Sequence, residues 1–147
     1  MSEPEGGDAA CWAHLVDDFS EVRTPAHDGV VAVDVADFAD GATVAVPWST
    51  RSADLNVNLL HFQAGDGVAA HVNAEVDVLL VGVAGAGEVL AGMATYPLRA
   101  GLVVLIPKGL ERSTRATSEH FSYLSCHRAR PGLMPAPRLP RKGSHAR

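Results

Sequence analysis

From Asp28 onward the chain is cut into short, Val-rich segments by Gly, Pro, Asn or Asp recurring about every ten residues. This spacing constrains the fold more than any other feature. A run of roughly four to eight residues between turn residues completes a strand, whereas a stable helix needs a longer periodic stretch. Strands are therefore expected at residues 30–35, 42–46, 55–62, 68–73, 76–83, 87–91, 96–99, 102–106, 111–116 and 121–127. No segment between them is long and periodic enough to serve as a crossover helix, which disfavours a parallel sheet. The expected fold class is all-β and antiparallel. "QAGDG", "AGAG" and "LRAG" read as hairpin corners, and in "IPKG" Pro107 presets φ while Gly109 suits the left-handed position.

At 147 residues, 47% of them hydrophobic, the chain can bury one good core. The expected organisation is an N-terminal arm over residues 1–27, a barrel over 28–130 and a Pro/Arg-rich tail over 131–147. In the arm, Cys11, Trp12, Leu15, Val16 and Phe19 fit one helical face. The tail carries four prolines and scattered bases without a periodic apolar face. The formal net charge of −5 supplies no positive field for nucleic acid or an anionic membrane, so neither is an expected partner. The start is acidic, and no run of about 18 apolar residues occurs, so the expected location is cytoplasmic. Cys11 and Cys126 stand in no metal-binding or disulfide spacing and are expected to be reduced.

One stretch resists a purely structural account. In "HVNAEVDV", His71, Asn73, Glu75 and Asp77 alternate with apolar residues, which places four polar side chains on one face of an extended chain. The stretch then runs into the apolar "LLVGVAGAGEVL". Such a face belongs to a solvent edge or to the wall of a cavity.

Residues 55–123 resemble a cupin, a double-stranded β-helix barrel of the jelly-roll kind. The first cupin motif runs Gly, five residues, His-x-His, three or four residues, Glu, six residues, Gly. Here "GDGVAAHVNAEVDVLLVGVAG" matches at Gly65, His71 and Gly85. The second runs Gly, five residues, Pro-x-Gly, two residues, His, and "GLVVLIPKGLER" matches at Gly101, Pro107 and Gly109. Metal-binding cupins hold one divalent cation with three imidazoles and a carboxylate. In this chain Asn73 stands at the second histidine position and Arg112 at the third. The carboxylate position falls on Asp77 counted forward from Asn73, or on Val78 counted back from Gly85. An amide is a weak ligand, and a guanidinium at a ligand position repels the ion.

The resemblance thus implies ligand-binding residues His71, Asn73, Glu75, Asp77 and Arg112, with no cofactor expected; a divalent transition metal, if present, would use His71 and Asp77. The expected function is a small-molecule-binding cupin without a well-formed metal centre and with a polar or anionic ligand. Two alternatives stand beside it: a metal-independent isomerase, epimerase or cyclase with His71 as general base, and a metal-dependent dioxygenase-type cupin with a displaced ligand set. The last would need His61 or His127 to turn inward, although both histidines read first as hydrogen-bonded structural residues. Trp48 and Tyr123 read as core packing. A homodimer is expected, joined through the arm or an outer sheet face.

Overall fold

The computed structural model describes residues 29–129. The expected arm and tail, with the apolar set from Cys11 to Phe19, lie outside these residues. Among the described residues one short helix, α1 (Val35–Ala39), precedes seven strands: β1 (Trp48–Arg51), β2 (Leu55–Gln63), β3 (His71–Val72), β4 (Val78–Ala91), β5 (Ala94–Arg99), β6 (Val103–Ile106) and β7 (Glu111–Arg128). All pairings are antiparallel.

Two long strands organise everything else. The C-terminal half of β7 lies between β2 and the N-terminal half of β4, which also pairs with β6, and β1 extends this sheet beyond β2. The N-terminal half of β7 pairs with β3 and with the C-terminal half of β4, which carries β5. Thus β4 and β7 pass from one sheet into the other, and the two sheets face each other across a core that includes Leu60, Leu80, Val89, Leu98, Phe121 and Tyr123. This is the double-stranded β-helix of the jelly-roll class.

The crossing point explains a difference from the sequence expectation. "AGAG" was expected to turn a hairpin, yet β4 continues through it with register shifts between Gly82 and Ala84 and between Gly85 and Gly87. A side chain there is sterically barred: a Cβ on Gly82 would strike the Arg99 carbonyl, and one on Gly85 the His120 carbonyl. Bulges bend a strand while keeping its pairing, so glycine here serves close approach of two sheets. On the partner strand Ser118 reinforces the bend, its hydroxyl accepting from Ala86 N at 2.9 Å. Two expected strand pairs, 76–83 with 87–91 and 111–116 with 121–127, are therefore one strand each.

Upstream, residues 35–39 form a helix because Asp34 caps it, Oδ1 accepting from Ala36 N at 2.9 Å. Val31, Val33 and Val35 pack on the outer face of the first sheet with Trp48, Leu59 and Leu124. Trp48 is core, as its apolar surroundings in the sequence suggested.

Candidate ligand site in the barrel

The glycines shared with the two cupin motifs, Gly65, Gly85, Gly101 and Gly109, all have positive φ, a backbone state that glycine adopts without steric cost. They hold the segments bearing the candidate residues in place. His71 on β3 is the register partner of Arg112 on β7, so the two side chains share a sheet face. That face is the inner one, because β7 alternates and Ala116, four residues beyond Arg112, belongs to the core. Arg112 is only 5% exposed. His71 is half-buried, and its Nδ1 donates to the Ala69 carbonyl at 2.8 Å. With the proton on Nδ1, the neutral ring carries its lone pair on Nε2.

Between the sheets lies a cavity of about 30 Å³, walled by apolar side chains such as Leu60, Val78 and Ile106 and by His71, Arg112 and Tyr123. The Tyr123 hydroxyl is bonded to Thr114 Oγ1 at 2.8 Å, and Thr114 Oγ1 also accepts from Val68 N at 3.0 Å. Burial pushes the Tyr123 hydroxyl above the usual phenol range, against opposing pulls from the Thr114 hydrogen bond and the Arg112 charge. Tyr123 therefore remains a neutral hydroxyl at physiological pH.

The remaining candidates part company. Asn73 is fully buried, and its Oδ1 accepts from Glu75 N at 2.8 Å and Val76 N at 3.2 Å. Its amide oxygen thus closes the turn at the end of β3, an Asx motif. The sequence expectation brought Asp77 or Glu75 beside His71, and here the structure differs. Asp77 Oδ1 accepts from Lys108 N at 2.8 Å and so ties down the "IPKG" turn. Asp77 and Glu75 line a separate, open depression of about 400 Å³ at the barrel rim, together with Lys108, His127 and Arg128. His71 and Asp77, the pair expected to serve any metal, therefore line different cavities.

The two strand histidines also divide. His61 pairs in register with Ser122, on the face opposite Leu60 and Tyr123, and its Nδ1 lies 2.7 Å from Ser122 Oγ. Its ring stacks on His120 at 5.5 Å, and burial, then the neighbouring His120, lowers its pKa. His127 is the register partner of Val78, a core residue, and its Nε2 lies 3.4 Å from Asn56 Nδ2. Both are buried, hydrogen-bonded histidines. Among the described residues no group of three or more His, Cys, Asp or Glu stands close enough to hold a metal ion.

Sequence reasoning passed over Asn58 and Ser125, buried register partners on the inner face of the first sheet. Ser125 lines the His71 cavity. Asn58 Oδ1 has no hydrogen-bond partner among the described residues. The signal was present in "LNVNLLHF", whose inward positions run Asn56, Asn58, Leu60, Phe62.

Known structures agree with the architecture. The BH2720 protein of Bacillus halodurans matches 74% of this chain and 88% of its own at 19% identity, with a TM-score of 0.63. A double-stranded β-helix protein from Klebsiella pneumoniae matches 73% of this chain and 91% of its own at 18% identity, with a TM-score of 0.59. A cupin superfamily protein from Desulfitobacterium hafniense matches 55% of this chain and 72% of its own at 16% identity, with a TM-score of 0.50. No protein-family model and no curated protein sequence matches the chain. The fold is that of a small cupin. Among the described residues no helix is long and apolar enough to cross a membrane.

Proposed function

We propose that the protein is a small-molecule-binding cupin that works without a metal centre and takes a polar, anionic ligand. The observation that carries this reading is Arg112, a buried guanidinium in the wall of the inner cavity, where cupins of the metal-binding kind would present an imidazole. A positive charge in a poorly solvated site is compatible with an anion and hostile to a divalent cation. The other donors fit a metal no better. The Asn73 amide oxygen is engaged in its turn, and Asp77 is held at the rim by Lys108 N. Elemental analysis of protein purified without chelator, combined with a thermal-shift screen of organic acids and sugars, tests the proposal. Saturable stabilisation by organic acids with substoichiometric metal supports it; one tightly held metal per chain overturns it.

We further propose a homodimer. Its support is the exposed apolar pair Val103 and Leu105, at 58% and 63% exposure, on the short strand β6 that edges the first sheet. Light scattering is expected to report twice the chain mass at micromolar concentration, and a Leu105→Lys variant is expected to shift it toward monomer.

A further inference from the structure

We infer that the second copy in the dimer is received edge to edge: β6 pairs antiparallel with the partner's β6 about a two-fold axis at Val104, joining the two first sheets into one. The inference rests on the homodimer proposal above and adds to it the type of contact, its register and the backbone groups that make it.

Comparison of the sheet edges singles out β6. An edge strand presents unpaired N–H and C=O groups, and proteins blunt such edges with charge, proline or extreme shortness. The other described edges are blunted in one of these ways. β1 is polar after Trp48 and ends on the exposed Arg51, β3 has only two residues, and β5 carries Pro97. β6 reads "VVLI", apolar throughout, and among the described residues no strand lies beyond it. Its Val103 and Leu105 are 58% and 63% exposed.

Parity shows which backbone groups of β6 face outward. In an antiparallel ladder only alternate residue pairs exchange hydrogen bonds. Gly82 N donates to the Leu102 carbonyl at 2.9 Å, and these two residues continue the β4–β6 register one step beyond Val81 and Val103. Leu102, Val104 and Ile106 are therefore the residues that bond to β4. Val103 and Leu105 direct their N–H and C=O groups away from β4, along the open edge.

These outward groups are complementary to themselves. Val103 opposite the partner's Leu105, and Leu105 opposite the partner's Val103, form reciprocal bonded pairs that use every outward N–H and C=O of both residues. Val104 then meets its own copy on the axis. The register also keeps the faces matched: Val103 and Leu105 lie on the outer face with their partners Val81 and Leu79, so both apolar rows continue across the dimer. A slip of one residue would set outer side chains against inner ones.

Charge and area are consistent with this contact and set its strength. A two-fold axis brings each group near it against its own kind, so a charge on the strand would repel itself. From Gly101 to Pro107 the chain carries none. A four-residue strand is about 13 Å long, and pairing it buries less than the ~800 Å² per partner of a standard interface. The dimer therefore belongs to the class that separates on dilution below micromolar concentration.

The experiment places single cysteines in the full chain carrying Cys11→Ser and Cys126→Ser, with oxidised glutathione as oxidant, beside light scattering of wild type and Leu105→Pro over a dilution series. Val104→Cys is expected to form a covalent dimer, because a non-bonded pair on the axis stands about 4.5 Å apart at Cα, within disulfide reach. Copies of Val103→Cys stand on a diagonal, about 7–8 Å apart, and are expected to cross-link at least about tenfold less, whereas mixing Val103→Cys with Leu105→Cys restores the link. Leu105→Pro removes an outward N–H that β4 does not use. It is expected to keep the wild-type circular dichroism and to raise the dimer dissociation constant at least about tenfold. Should Leu105→Pro fail to fold, the cysteine series decides the matter. A wild-type dimer with equal cross-linking of Val103→Cys and Val104→Cys overturns the β6 pairing while leaving the homodimer standing, and so does a folded Leu105→Pro that dimerises as tightly as wild type. A wild type that stays monomeric at every concentration overturns both.

Discussion

The inner cavity and the rim depression are built from neighbouring pieces of the same two motifs, yet they are opposites. The rim depression is the larger, at about 400 Å³ against 30 Å³, and holds charges of both signs, Glu75 and Asp77 with Lys108 and Arg128, all on exposed residues. The inner cavity is small and mostly apolar, with one buried guanidinium. Volume and chemical potency are thus separated. Exposed charges of opposite sign screen each other in water and interact weakly, whereas a buried guanidinium is less screened by solvent. The alternation in "HVNAEVDV" therefore spans two environments: His71 goes inward, Glu75 and Asp77 stay at the rim, and Asn73 closes the turn between them.

The largest expected effect breaks the inner region itself. Tyr123 is 1% exposed and packs against Phe121 and Phe62, with ring centroids 5.0 and 6.2 Å away. Tyr123→Ala is expected to cost about 3–5 kcal/mol of stability in urea denaturation, mostly as lost packing. Tyr123→Phe, which deletes only the hydroxyl, is expected to cost about 1 kcal/mol. Equal losses in the two variants would mean that the hydroxyl, and not the ring, holds the cavity wall.

The next comparison sets the dividing turn against the rim. Asn73→Ala leaves the Glu75 and Val76 amides without their acceptor, and with Asn73 fully buried the expected loss is about 1–3 kcal/mol. Asp77→Ala removes one bond to Lys108 N at an exposed position, and about 0.5–1 kcal/mol is expected. A larger loss at Asp77 than at Asn73 would reverse the assignment of interior and rim.

How much of this was legible beforehand depends on the kind of signal. Turn spacing and period-two alternation are local, so the all-β class, the motif glycines and strands β2 and β6 could be read directly. The long strands β4 and β7 could not, because a glycine cluster at a bulge and one at a hairpin corner look alike until the Arg99 and His120 carbonyls are known to occupy the space that a Cβ on Gly82 or Gly85 would need. The helix at residues 35–39 was hidden by three alternating valines that pack outside the barrel and not in a strand. At the site, His71 and Arg112 came from motif spacing and lie together. The placement of Asp77 was not recoverable, since it turns on a hydrogen bond to a backbone amide thirty-one residues away.

A smaller effect asks whether the inner cavity can be returned to metal binding. His71 and Arg112 are register partners on one face, a relation that sets side chains about 5 Å apart at Cβ, within reach of a shared ion at roughly 2.0–2.1 Å per imidazole nitrogen. Arg112→His removes the repelling charge and adds a nitrogen ligand, and at least about a tenfold gain in zinc or nickel affinity over the parent is expected, roughly 1.4 kcal/mol. Adding Asn73→His supplies a third imidazole but breaks the turn that Asn73 Oδ1 closes, so the double variant should bind metal more tightly than the single one and melt at a lower temperature. A metal titration with parallel melting curves checks both. If neither variant gains affinity, the side chain at position 112 does not share a point in space with His71.

The smallest effect contrasts two histidines. His71 sits half-buried at the inner cavity, whereas His61 is buried on the opposite face of the first sheet, bonded to Ser122 and stacked on His120. Burial disfavours the imidazolium of His61, and the nearby His120 disfavours it further, so the folded protein holds His61 neutral below the usual value of 6.5. The unfolded chain then binds more protons than the folded one between the lowered pKa and 6.5. By linkage the stabilising contribution is fully present above 6.5 and is lost as pH falls from there through the lowered value. Melting temperatures recorded from about pH 8 down to about pH 5 are expected to stay level and then fall, and the fall should be shallower in His61→Gln, which keeps a hydrogen-bonding group near Ser122 without a titratable ring. An unchanged slope in that variant would move the acid sensitivity to another group.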